Sequence, residues 1–218
     1  MLVRLCGRRA LGLAGLGLAL GLALGSGFGC MAAAGSGGGN GDDDAMPEMR
    51  TLQVAFEGLE SLGDSFVYEG WIIVDDNPVS TGRFAVLADG TANPATFEID
   101  ADDAAAATVF ILTIEPSVGD DPAPADTHVL AGALEDGSAT LTVGHAAALG
   151  DDFTSAEGTF ILETPSTADL ADDFAQGIWW LDPDAGPGPS LVLPELPAGW
   201  VYEGWVVGVD GPMSTGRF

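Results

Sequence analysis

The sequence predicts an all-β fold, an antiparallel β-sandwich-like domain with an internally repeated hairpin. Three observations carry that prediction. Short runs rich in β-branched and aromatic residues recur along the chain, too short and too alternating for amphipathic helices. Gly, Pro and Asp clusters punctuate them at regular spacing, as in sandwiches and barrels. Finally, residues 66–84, FVYEGWIIVDDNPVSTGRF, return as residues 200–218, WVYEGWVVGVDGPMSTGRF, without a gap at an offset of 134 and with 12 of 19 positions identical. Leu59 and Leu62 extend the correspondence to Leu193 and Leu196. Such a match is the mark of duplication.

Residues 1–29 read as a signal peptide. MLVRLCGRR is basic, ALGLAGLGLALGLALG is apolar, and small residues follow. The apolar run of 16 residues is short of the ~20 that span a bilayer. Cys30, preceded by Gly27 and Gly29, is the candidate lipid-attachment residue of a bacterial lipoprotein, although Phe28 and a missing Leu depart from the usual lipobox. Ala32-Ala33-Ala34 offers a second cleavage site, which would release a secreted product. Gly17, Gly21 and Gly25, at four-residue spacing, leave an uncleaved membrane anchor as a third arrangement. Residues 30–50 read as a flexible acidic Gly-rich tether. The Gly run 37–39 is no phosphate loop, since no Lys follows.

Residues 51–181 are expected to form the β-sandwich domain. Its first hairpin runs up Val67–Val74, turns at Asp76-Asn77-Pro78 and returns through Ser80–Phe84. Alternation places Tyr68 and Gly70 on one face, and Val67, Glu69 and Trp71 on the other. Trp71 and Trp205 are the expected core anchors. Further strands are predicted at Thr96–Ile99, Thr108–Ile114, Thr127–Leu130, Ala139–Val143 and Gly158–Leu162, with a hairpin turn at Glu135-Asp136-Gly137. Ala104–Ala107 and His145–Leu149 read as short helical or turn segments. Residues 182–190, DPDAGPGPS, form a stiff connector. Residues 191–218 are a partial second copy of the first hairpin. It either opens a further repeat or completes the first domain's sheets.

Charge then narrows function. The chain has 33 acids, 6 arginines, no lysine and a net charge of −27. Removing residues 1–29 leaves three arginines, Arg50, Arg83 and Arg217, against all 33 acids, a net −30. Such a surface repels phosphate backbones, which excludes nucleic acid as a partner. Two of those three arginines occupy one duplicated position. Tyr68 and Tyr202 are the only tyrosines, and Glu69 and Glu203 recur beside them. The structural reading of this set is a Glu–Arg pair across each hairpin. The functional reading is an Arg that grips an anionic group of a ligand or partner. Tyr68, Glu69, Trp71, Arg83, Tyr202, Glu203, Trp205 and Arg217 are therefore the candidate structural or binding residues.

No catalytic residues, metal ligands or cofactor are expected. Gly63-Asp64-Ser65 aligns with Pro197-Ala198-Gly199 in the second copy, a substitution that a turn permits and a nucleophile does not. His128 and His145 assemble into no Ser-His-Asp pattern. Aspartate pairs abound, yet none has the spacing of a calcium loop. An envelope hydrolase drawing on two of these carboxylates, and a structural or adhesion module, are the alternative functions.

The stretch Val67-Tyr-Glu-Gly-Trp71, then Pro78-Val-Ser-Thr-Gly82 and Phe84, resembles the extracytoplasmic C-terminal domain of anti-sigma-K factors. Leu112-Thr-Ile-Glu-Pro116, Gly119 and Pro122 to Gly132 resemble that domain's next block. The resemblance covers about residues 52–134. It implies a β-rich domain outside the cytoplasmic membrane that senses or binds, with an envelope protein as partner. It does not include the family's cytoplasmic sigma-binding domain, for which a signal beginning at residue 1 leaves no room. The expectation is a non-catalytic, extracytoplasmic β-domain, membrane-anchored through Cys30.

Overall fold

The structure, a computed structural model, describes residues 2–6, 47–164, 177–186 and 188–218. Cys30, the tether before residue 47 and the apolar part of the signal lie outside the described residues. The elements are β1 (Leu2–Cys6), β2 (Met49–Ala55), β3 (Phe66–Val74), β4 (Asn77–Val86), β5 (Ala92–Asn93), β6 (Thr96–Asp100), α1 (Ala101–Ala106), β7 (Val109–Pro116), β8 (His128–Ala133), β9 (Ser138–Thr140), β10 (Ile161–Leu162), β11 (Ile178–Trp179), β12 (Glu203–Gly208) and β13 (Gly211–Arg217).

The fold is all-β and antiparallel. A five-stranded sheet runs β5-β4-β3-β7-β8, and a four-stranded sheet runs β6-β2-β1-β9. The two sheets share one core. Leu52, Val54, Ile99 and Ala139 of the second sheet pack against Tyr68, Ile72, Phe84, Phe110 and Leu112 of the first. Phe84 stacks on Tyr68 and Phe56, with ring centroids 5.6 and 5.2 Å apart. This is sandwich packing, in which alternate side chains of each strand fill the space between layers.

The other face of β3 is covered too. Trp71, Ile111 and Ala131 form a second cluster with Ala148, from the turn at 145–149 that folds over the sheet. His128 Nδ1 donates to Ala147 O at 2.9 Å, and Ala147 N donates to His145 Nδ1 at 3.1 Å. Both histidines thus hold this turn in place. Burial on both faces explains why Tyr68 through Ile72 are all buried.

Local chemistry accounts for several boundaries. The first hairpin turns at Asp75-Asp76, with φ of 48° and 63°, rather than at Asp76-Asn77-Pro78. A two-residue turn with both central φ positive matches the twist of the flanking strands, and Asp tolerates that region. Pro78 consequently lies inside β4, opposite Ile73. The predicted turn Glu135-Asp136-Gly137 is present, with positive φ at Asp136 and Gly137. The helical segment begins earlier than Ala104, because Asp100 caps it by accepting from Asp102 N at 2.8 Å. The predicted strand at 139–143 is shorter, Ser138–Thr140 followed by a bridge between Ala131 and Thr142. Only Ile161–Leu162 of the predicted 158–162 strand pairs, with β11.

The duplicated hairpin, β12–β13, is a two-stranded sheet of its own and joins neither large sheet. Trp205 is therefore not a core anchor: it is 55% exposed, whereas Trp71 is 3% exposed. The same residue type in the same local sequence has a different fate, because Trp71 has a sheet and a turn to pack against and Trp205 does not. The segment Leu2–Cys6 pairs with β2 on one side and β9 on the other.

Candidate functional site

The candidate site grows from the duplicated hairpin. In the first copy Glu69 lies opposite Arg83 and Gly70 opposite Gly82. A bulge at Thr81 then brings Trp71 opposite Ser80. In the second copy Glu203 lies opposite Arg217, Gly204 opposite Gly216, and Trp205 opposite Ser214. The register and the bulge match position by position. Gly82 has φ 122° and Gly216 has φ 112°, a backbone state that excludes most side chains. Gly at this position is therefore a demand of the bulge.

The side-chain bonds are duplicated as well. Arg83 Nε lies 3.0 Å from Glu69 Oε2, and Arg217 Nε lies 3.2 Å from Glu203 Oε2. The Arg217 contact is aligned as a hydrogen bond. In the Arg83 contact the attraction is ionic, since Nε has no aligned acceptor. Ser80 Oγ donates to Glu69 Oε1 at 2.5 Å, and Ser214 Oγ to Glu203 Oε1 at 2.6 Å. The Ser214 bond, then Arg217, holds the Glu203 carboxyl below its ordinary pKa. Tyr68 OH donates to Glu60 O at 3.0 Å, and Tyr202 OH to Pro194 O at 2.7 Å, each eight residues back in sequence. Burial, followed by the Glu60 charge, raises the Tyr68 pKa. For Tyr202 burial is again the leading cause, followed by the Asp151 charge. Tyr202 stacks on Phe218 with centroids 5.8 Å apart, as Tyr68 does on Phe84.

The surroundings differ. Around the first copy, β7 adds a second layer of partners. Trp71 Nε1 donates to Thr113 Oγ1 at 2.9 Å. Thr113, with one hydroxyl proton, donates it to Glu115 Oε1. That same carboxylate oxygen accepts from Ala125 N at 2.9 Å. Arg83 Nη2 donates to Pro116 O and to Asp120 Oδ2, both at 2.6 Å. Arg83 thus bridges β3 to the loop after β7, and Glu69 is sealed beneath it at 6% exposure. Around the second copy Arg217 has Glu203 alone among the described residues, and its side chain is 72% exposed.

The residues singled out from sequence therefore fall into two groups. In the first, Glu69 and Arg83 are paired, Trp71 is joined to them through Thr113, and Tyr68 lies on the opposite, core-facing side of β3 with its hydroxyl on Glu60 O. Tyr202, Glu203, Trp205 and Arg217 form the open counterpart on a separate hairpin. Cys30 lies outside the described residues. Sequence reading missed Ser80, Thr113, Glu115 and Asp120 as members of the network. Ser80 had a signal in the repeated Ser-Thr-Gly-Arg-Phe, whereas Asp120 was one acid among many. Among the described residues no group of acids, histidines and cysteines is arranged to hold a metal ion.

A groove of about 930 Å³ separates the second hairpin from the β10–β11 ribbon. Trp179, Trp180, Leu162 and Ile178 form one wall, and Gly204, Val206, Met213 and Phe218 belong to the other. Its lining is mostly aromatic and aliphatic, with Ser214 and Thr215 beside Arg217, the charged residue, and no carboxylate. Two other clefts do carry acid pairs, Glu157 with Asp182 and Asp151 with Glu195, and neither has an aromatic wall.

Residues 30–129 match the family model described as Anti-sigma-K factor rskA, C-terminal. The resemblance to that domain is established, and the matched segment is an anti-sigma-factor-like domain. The match begins at Cys30, spans the first hairpin and the Thr113-Ile-Glu-Pro116 block, and ends within β8. The second hairpin lies beyond it. Comparison with curated proteins and with solved structures gave no match. Among the described residues no helix is long and apolar enough to cross a membrane.

Proposed function

We propose that this chain is a non-catalytic, extracytoplasmic, lipid-anchored β-domain with a binding or sensing role in the cell envelope. The observation that carries the reading is the family match beginning at Cys30, directly after a basic and then apolar segment of signal type. Anti-sigma factors work through protein partners at the membrane, so a protein in the envelope is the partner proposed here. The organisation follows: residues 1–29 direct export, 30–50 tether the domain to the membrane, 51–181 are the β-domain that contains the sandwich sheets, and 182–190 carry the hairpin copy at 191–218.

The geometry supports binding over hydrolysis. Glycoside hydrolysis wants two carboxylates facing each other across a sugar site. Glu69 has both oxygens engaged, by Ser80 and by Arg83. Glu115 is 1% exposed beneath the loop after β7. The aromatic-walled groove has no carboxylate, and the acid-bearing clefts have no aromatic wall.

The reading has a structural requirement. Export with cleavage before Cys30 removes β1, so β2 and β9 must each lose a paired neighbour. Metabolic labelling with a clickable fatty-acid analogue tests the anchor. The full-length chain is expected to be labelled and to sediment with membranes, and Cys30→Ala to lose the label. A membrane-free, unlabelled product beginning near residue 35 would contradict it and favour secretion.

A further inference from the structure

Three strands of the four-stranded sheet, β2, β6 and β9, come from residues 49–140, whereas β1 comes from the basic start of the chain. β1 is an interior strand. Leu2 to Cys6 pair with Ala55 to Thr51 on one side, and Leu2 to Arg4 pair with Thr140 to Ser138 on the other. The register sets positions 3 and 5 opposite Val54 and Leu52, and position 3 also opposite Ala139, three buried residues of the core. Both walls of this seat are held from elsewhere. β2 pairs at five positions with β6, and Thr142, just past β9, exchanges two backbone hydrogen bonds with Ala131 of β8. The seat is therefore a slot in the sheet, one strand wide, and the structure shows what fills it.

The same residues are wanted in a second place. The apolar run opens at Ala10, four residue steps after Cys6, at most about 14 Å of extended chain. When residues 10–25 enter a bilayer, the basic residues before them stay on the side from which the run inserts. An exported domain passes to the other side. β1 and the sheet it completes are then separated by a hydrocarbon core about 30 Å thick. Seat and membrane therefore compete for one segment. Charge favours the seat as well: Arg4, Arg8 and Arg9 are three of the six arginines, and residues 30–218 carry a net −30.

We propose that the slot between β2 and β9 is a binding site for the chain's own residues 2–6, and that the folded, uncleaved chain thereby withholds its export signal. The inference rests on the reading of residues 1–29 as that signal. Export then requires the apolar run to reach the membrane before the sheet closes on β1. A chain that folds first is held back, and cleavage before Cys30 waits until β1 leaves the slot.

The test compares the full-length chain with Val3→Pro and Val3→Thr. Position 3 is paired on both sides of β1. Proline removes a ladder donor from such an interior strand, whereas threonine is compatible with one. Neither change alters the arginines or the apolar run. Amide exchange of the uncleaved proteins is the first readout. Residues 2–6, 51–55 and 138–140 are expected to be protected in the parent and in Val3→Thr. In Val3→Pro they are expected to exchange at least tenfold faster, with β3 still protected. Pulse-chase labelling in cells is the second readout. Val3→Pro is expected to be cleaved at least twofold faster than the parent, and Val3→Thr at the parent's rate. Rapid exchange of residues 2–6 in the parent overturns the proposal and leaves the export reading standing. Equal cleavage rates for the parent and Val3→Pro overturn it as well, since the slot would then hold nothing back. A chain left uncleaved in all three forms overturns the export reading, and this proposal falls with it.

Discussion

Replacing Trp71 and Trp205 separately by alanine asks whether equivalent residues of a duplicated hairpin have unequal weight. Trp71 is 3% exposed, packs on Ile111, Ala131 and Ala148, and donates to Thr113 at 2.9 Å. Truncating a buried Trp costs about 3–5 kcal/mol, through lost transfer energy and the cavity left behind. The lost hydrogen bond adds about 1 kcal/mol. A total near 4–6 kcal/mol is a large share of the ~5–15 kcal/mol that stabilises a typical domain. Trp205 is 55% exposed, and its loss is expected to cost about 0.5 kcal/mol. Urea unfolding followed by far-UV circular dichroism separates the two without relying on tryptophan emission. With a slope of about 2 kcal/mol per molar, Trp71→Ala lowers the midpoint by roughly 2–3 M and Trp205→Ala by roughly 0.25 M. Should Trp71→Ala fail to fold, Trp71→Phe keeps most of the packing and is expected to cost about 1–2 kcal/mol, mainly through the missing indole N–H. Equal midpoint shifts for the two alanine variants would refute the assignment of one hairpin to the core and the other to the surface.

Three further predictions use the same pairing. Gly82→Ala and Gly216→Ala both force a side chain into positive φ, at about 1–3 kcal/mol each. Gly82→Ala adds a clash with Phe97 at 2.6 Å, so its loss in thermal unfolding should be larger by about 1–3 kcal/mol. Arg83→Ala leaves Glu69, 6% exposed, without its cation and is expected to cost about 2–3 kcal/mol, discounted for the partly exposed guanidinium. Arg217→Ala is expected to cost less than about 1 kcal/mol, both in equilibrium unfolding. Tyr68 has a folded pKa above its ordinary value, so the folded state holds that proton more tightly than the unfolded state does. Its contribution is complete below about pH 10 and is lost as pH rises from there toward the folded value. Tyr68→Phe should lose about 1 kcal/mol near neutrality and show a shallower alkaline decline in chemical unfolding.

Much of the sandwich was legible because its strands carry local signals. Val67–Val74 alternates, Asp136-Gly137 supplies a turn with positive φ, and Thr108–Ile114 falls within one residue of where β7 begins. The facing of Tyr68 and Gly70 against Glu69 and Trp71 follows from the two-residue period. What sequence did not yield depends on who sits next to whom. Trp71 and Trp205 share neighbours in sequence and differ in neighbours in space, so local pattern assigned both to the core. The hairpin turn was placed a residue late, because Asp75 and Asp76 carry the turn by adopting positive φ while Pro78 is tolerated within β4. Asp120 was indistinguishable from other acids until the loop after β7 brought it to Arg83. The Glu–Arg pairing was legible because both residues recur at a fixed offset on facing strands. The groove against Trp179 and Trp180 was not, since no sequence signal links those residues to β12.

The account rests on one contrast, a duplicated hairpin covered in its first copy and open in its second. Amide hydrogen exchange of the free full-length protein measures it directly. In β3, whose two edges pair with β4 and β7, the amides of both edges are expected to be protected together. In β12, only the amides directed at β13 are expected to be slowed, and the alternate ones should exchange as rapidly as exposed loops. Uniform protection along β12, matching that of β3, would contradict the account.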